Sequence, residues 1–116
     1  MEYKDSILNT IKKLLGPGQD QTYFDQDIIT HINTAIMTLT DIGVGPKEGF
    51  SITSNAEVWS DFIEDISKFE AVKTYIYLKV KLVFDPPLSS SVIEICNKQI
   101  NELEWRLNSR VDYPVD

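Results

Sequence analysis

The chain has 116 residues, 42% hydrophobic and 25% charged, a balance that suits a single globular domain and is too apolar for intrinsic disorder. Its apolar runs fall far short of the roughly 20 residues a membrane span needs, and MEYKDSILNT lacks the sections of a secretory signal. The net charge of −7 lies in residues 1–66, with eleven acids against Lys4, Lys12, Lys13 and Lys47; residues 67–116 are neutral, and no basic face of the kind a free nucleic-acid binder uses is evident.

Helix signals are dense along the chain. Ile7, Leu8, Ile11, Leu14 and Leu15 recur at helical spacing, and Gly16-Pro17-Gly18 ends that segment. After a polar loop, Asp25 reads as an N-cap, with Phe24 and Ile29 placed as a hydrophobic staple. The second helix carries Ile28, Ile29, Ile32, Ala35, Ile36, Leu39 and Ile42 on one face and stops at Gly43. Residues 43–54 are irregular, and Phe50 to Thr53 alternate weakly enough to hold a short strand that would need a partner.

Three serine–glutamate spacings then resemble capping boxes. Ser54 with Glu57 predicts a short helix with Val58, Trp59, Phe62 and Ile66 inward. Ser67 with Glu70 opens a long apolar helix to about Phe84, ended by Asp85-Pro86-Pro87. Ser91 with Glu94 opens a last helix to about Arg110. The expected fold is all-α, a compact bundle of about five helices with one irregular loop between the second and third. Residues 1–110 read as a single helical domain and 111–116 as a flexible C-terminal tail.

The helix over 68–84 is apolar almost all round, with Ala71, Leu78 and Leu82 opposite Phe69, Val72, Ile76, Val80 and Val83. Such a helix is either central or shared with another subunit. In the last helix Ile93, Cys96, Ile100, Leu103 and Leu107 form a heptad seam, while Trp105 lies among polar residues and suggests an interface anchor. The expected core holds Ile32, Ile36, Phe62, Val72, Ile76, Val80, Ile100, Leu103 and Leu107.

No catalytic, cofactor or metal constellation emerges. His31 is the sole histidine and Cys96 the sole cysteine, which excludes an internal disulfide and a cysteine-built zinc site and agrees with a reducing cytoplasm. Cys96 falls within the heptad seam, where a small buried hydrophobe is the plainer reading. Asp61, Glu64 and Asp65 read as a solvated acidic face, and Lys73, Lys79 and Lys81 as stems packed over apolar surface. Gly43-Val44-Gly45-Pro46 follows a helix and not a strand, unlike a phosphate cradle. The chain reads as a non-enzyme.

Several phrases taken in order do carry a resemblance. They are DIITHINTAIMTLTDIGVGP from Asp27, the aromatic-acidic run Val58 to Phe62, the tyrosine-bearing run Ala71 to Val80, the break Phe84-Asp85-Pro86-Pro87 and the stretch Ile100 to Leu107. Over nearly its whole length the chain resembles the small head–tail connector, or adaptor, proteins of long-tailed double-stranded DNA phages and prophages of Gram-positive hosts. The resemblance implies a virion protein assembled in the host cytoplasm. Its copies would form a ring, commonly twelve-fold, that binds the portal protein, extends the DNA channel and carries the stopper or tail. DNA would pass without sequence-specific binding, and no membrane or cofactor is implied. Candidate contact residues are Phe50, Ile52, Leu78, Leu82, Trp105, Val111 and Tyr113, the last two in a tail expected to dock on the portal.

The principal rival is a cytoplasmic regulatory or protein-interaction domain, perhaps built like a helix-turn-helix. Its recognition helix would expose Arg, Lys, Asn or Gln, whereas the second helix offers Thr30, Thr34, Met37, Thr38 and Asp41. An enzyme with dispersed carboxylates comes third.

Overall fold

The computed structural model describes residues 2–16 and 22–108. Five α-helices follow in order: α1 (Ile7–Leu15), α2 (Asp25–Asp41), α3 (Trp59–Phe62), α4 (Phe69–Phe84) and α5 (Ser90–Leu107). Single 3-10 turns at Glu2–Lys4 and Ile66–Lys68 precede α1 and α4. No strand forms among the described residues, so the fold is all-α as the periodicity implies.

α4 is the central helix. It packs against α1, α2 and α5, and its buried side chains Phe69, Val72, Tyr75, Ile76, Leu78 and Val80 point to more than one side. This is why its sequence is apolar almost all round. α2 and α5 each lie antiparallel to α4: Phe24 at the start of α2 meets Phe84 at the end of α4, and Tyr75 of α4 meets Glu104 of α5. Of the nine expected core residues, eight are buried and Leu103 is half-buried.

Several boundaries differ from the sequence reading, each for a local reason. Asp25 is the first residue of α2 and not its cap. Its carboxylate lies 2.8 Å from the ammonium of buried Lys12, close but poorly angled for a hydrogen bond, so a mainly coulombic link ties the end of α1 to the start of α2. Phe24 itself takes the N-cap position, one residue later than the staple register assumes, and its ring meets Phe84 edge-on at 5.6 Å. Ser54 and Glu57 close a turn instead of opening a helix. Ser54 Oγ accepts from the Ala56 N–H, and the Glu57 carboxylate accepts from the Thr53 and Ser54 backbone and the Thr53 hydroxyl. Residues 57 and 58 are committed elsewhere. Ser6 and Val58 form an isolated antiparallel bridge, with Ile7 N–H donating to Glu57 O and Trp59 N–H to Asp5 O. Helix α3 can therefore start only at Trp59, and Ile66, expected inward, is exposed.

Ser67 lies inside the 3-10 turn, where its N–H and hydroxyl donate to Asp65, and α4 begins two residues later. Among Ser89, Ser90 and Ser91 it is Ser89 that caps α5, accepting from the Val92 N–H. α5 ends at Leu107; Arg110 lies outside the described residues. The end of α2 matches expectation. Gly43 sits at φ +95°, its N–H donates to Thr40 O and that of Val44 to Leu39 O, the pairing of a Schellman motif with Val44 buried beside it.

Residues 50–53 do not form a strand. Asn33 on α2 takes the place of a partner strand: its Oδ1 accepts from Ile52 N–H at 2.8 Å, and its Nδ2 donates to Ile52 O at 2.9 Å. One side chain thus satisfies both backbone groups of a residue that is 1% exposed.

Candidate assembly surfaces

The antiparallel arrangement gives the subunit two unlike ends. At one end the start of α2 meets the end of α4, the turn into α5 follows, and each of these three stretches carries exposed apolar side chains. Tyr23, Phe24, Val83, Leu88, Val92 and Ile95 are all solvent-exposed, and Leu88 completely so. Tyr23 packs edge-on against Phe24 at 4.9 Å, and Phe24 in turn against Phe84. The proline pair after Asp85 stops α4 and leaves Leu88 outside both helices. A concentration of this kind marks a contact surface more often than chance exposure.

At the opposite end lies a groove of about 550 Å³ lined by residues 43–46, Glu48, 60–65 and Lys68. Four carboxylates, Glu48, Asp61, Glu64 and Asp65, line it with a single lysine. Two of these are held by the local fold. Asp61 accepts from the Val58 N–H at 3.1 Å. Asp65 accepts from the Ser67 hydroxyl and N–H, which hold its carboxyl below the usual carboxylate value. On the groove's wall Phe50 stacks on Phe62 at 5.2 Å. Among the described residues no group of three or more His, Cys, Asp or Glu is arranged to hold a metal ion.

The predicted contact residues separate sharply. Trp105 is 63% exposed on the outer face of α5. Phe50 and Leu82 are half-buried against the core. Ile52 is held by Asn33, and Leu78 is only 7% exposed, so the second apolar side of α4 is largely used within the subunit. Val111 and Tyr113 lie outside the described residues. Tyr23, Phe24, Val83, Leu88, Val92 and Ile95 were missed because each is isolated in sequence or hidden in a helical pattern. The antiparallel packing of α2 and α5 on α4 places them toward the same end of the subunit.

The exposed face of α2 does not suit a groove reader. The hydroxyls of Thr30, Thr34 and Thr38 each donate back to the carbonyl four residues earlier, Gln26, Thr30 and Thr34. The lysines of α4 likewise make no basic stripe. Lys73 and Lys79 lie over the rings of Phe69 and Tyr75, and Lys81 pairs with Asp85 at 3.0 Å.

A family model described as phage connector protein matches residues 7–114. The chain belongs to that family. No curated protein and no solved structure gives a significant match. The connector is thus a structural phage protein with a head–tail connector role, and its two ends are the surfaces on which assembly is to be sought. No helix of the connector among the described residues is long and apolar enough to cross a membrane.

Proposed function

We propose that the protein is the head–tail connector subunit of a long-tailed double-stranded DNA phage, with residues 1–110 acting as one domain. Its copies form a closed ring, twelve-fold, beneath the portal protein. The ring continues the DNA channel once the head is filled and presents a platform to the stopper or tail-completion protein. Assembly takes place in the host cytoplasm, and the finished ring belongs to the virion. The protein performs no catalysis and needs no cofactor.

The observation that carries this reading is the match to the phage connector family over residues 7–114. The charge distribution supports it. An acidic surface lets DNA slide, because phosphate contacts of the kind lysine or arginine would make hold the duplex in place. The exposed apolar end and Trp105 provide surface for neighbours in a ring. Electron microscopy of the protein mixed with its portal tests the reading. A ring of closed rotational symmetry on the portal is the expected result. No binding at micromolar concentration, or binding without closed symmetry, would show the reading to be wrong.

A further inference from the structure

The ties between distant parts of the chain are unevenly placed. Tyr3 donates to the Ile63 and Glu64 carbonyls, the Trp59 indole N–H donates to Thr10, Ser6 bridges to Val58, and Asn33 clamps Ile52. Lys12 and Asp25 join α1 to α2, and the Tyr3 and Trp59 rings each meet Phe69 edge-on. All of these lie within residues 3–69, so α1 is pinned along its length although it comes first in the chain. None of them reaches α5. That helix packs mainly on α4, burying Cys96, Ile100 and Leu107, and the Tyr75 hydroxyl donates to its Glu104 at 2.7 Å. Leu78 and Leu82 follow Tyr75 by three and seven residues and so share the side of α4 that α5 covers.

We propose that α5 is a strap, which leaves the body formed by α1 to α4 as one unit about the Asp85–Ser89 hinge while that body stays folded. The hinge is built for this. Pro86 and Pro87 hold an extended run between bends at Asp85 and Leu88, and Leu88 is completely exposed. Asp85 is tied only backward, its N–H to the Lys81 carbonyl and its carboxylate to the Lys81 ammonium, and Ser89 only forward, to the Val92 N–H. Changing the two bends breaks none of these ties. Glu104 and Leu107, which is 3% exposed, grip the end of α5 farthest from the hinge, so the helix lets go as a unit and does not peel back from its C-terminus. An element with few buried side chains and few ties opens at lower free energy than the body it rests on. Once released, a lone helix of 18 residues is marginal in water, so it unwinds and its amides exchange. The open state bares Leu78 and Leu82. The inference concerns one subunit and holds whether or not copies form a ring.

Cys96 supplies a native probe, because it is the sole cysteine and is buried within α5. In the full-length protein, labelling of Cys96 by an aromatic disulfide reagent and hydrogen exchange by mass spectrometry are followed together, below the denaturant midpoint. Residues 90–107 should exchange as a block, in step with Cys96 labelling and at least about tenfold faster than α2 and α4. Glu104→Ala removes the acceptor of the Tyr75 hydroxyl and should speed both readouts about fivefold, with exchange in α1 and α2 unchanged. Exchange of α5 only in step with α2 and α4 would overturn the strap, as would a Glu104→Ala variant in which every helix speeds up alike. Exchange confined to the last turn of α5 with Cys96 unreactive would be fraying and would overturn it too. Labelling of Cys96 without exchange along α5 would do the same.

Discussion

Replacing Asn33 by alanine removes the only side chain that completes the backbone of Ile52. Two hydrogen bonds are lost, at 2.8 and 2.9 Å, each worth about 0.5–1.5 kcal/mol net. The Ile52 N–H and C=O are then left without a partner beside a side chain that is 1% exposed, at about 1–3 kcal/mol for each group kept from water. Ser51 and Thr53 on either side are exposed, so water can reach part of the vacated site and relieve some of that penalty. The expected loss is about 2–3 kcal/mol, a large share of the roughly 5–15 kcal/mol that folds a domain. Asn33→Asp separates the two halves of the clamp. It keeps an acceptor for the Ile52 N–H but sets a carboxylate oxygen against the Ile52 carbonyl, so it should be no more stable than the alanine variant. Denaturant titration followed by the fluorescence of buried Trp59 reads both, with the midpoint falling at unchanged slope. A loss below about 0.5 kcal/mol in Asn33→Ala, or a native-like Asn33→Asp, would refute the claim that this side chain replaces a strand.

Other consequences can be measured in the same way. Gly45 sits at φ +82°, and a Cβ there would overlap the Phe62 ring, so Gly45→Ala should lose more than about 1 kcal/mol; an unchanged midpoint would show the turn to be pliable. Burial, then the hydrogen bond and the charge of Glu104, raise the Tyr75 hydroxyl above its ordinary value of 10.0, against a smaller opposing contribution from Thr38. Its contribution is therefore complete below about pH 10 and is lost as pH rises beyond that. Tyr75→Phe should cost about 1 kcal/mol at neutral pH and lose part of the alkaline decline; identical alkaline profiles for the two proteins would contradict this. The purified protein should show no sequence-specific duplex affinity at physiological salt in an anisotropy assay, and tight specific binding would favour a regulatory role.

Helical spacing made most of the core legible. The period of α2 and the all-round apolarity of α4 marked the buried residues and the central helix, because both patterns are set by burial alone. Boundaries were less legible wherever a capping residue had a stronger partner at long range. Glu57 and Val58 are drawn into the pairing with residues 5–7, and Asp25 into the pair with Lys12; neither partner is near in sequence. The role of Asn33 was not legible, since nothing in its neighbourhood signals a backbone nineteen residues away. The exposed position of Trp105 was readable from the wheel. The apolar end was not, because Phe24 meets Phe84 only once α2 lies antiparallel to α4.

The bridge between Ser6 and Val58 has a consequence in time. Thr10 and Trp59 are joined by a hydrogen bond across 49 residues, and the Tyr3 hydroxyl donates to the Ile63 and Glu64 carbonyls across 60 and 61. At about 5–20 residues per second, roughly 2–10 s of synthesis separate Thr10 from Trp59. During that interval Ile7, Leu8 and Ile11 leave the ribosome ahead of α4, against which α1 packs. The nascent connector thus spends seconds with only α2 beside its first helix, before the pairings of Tyr3 and Thr10 with residues 59–64 can form.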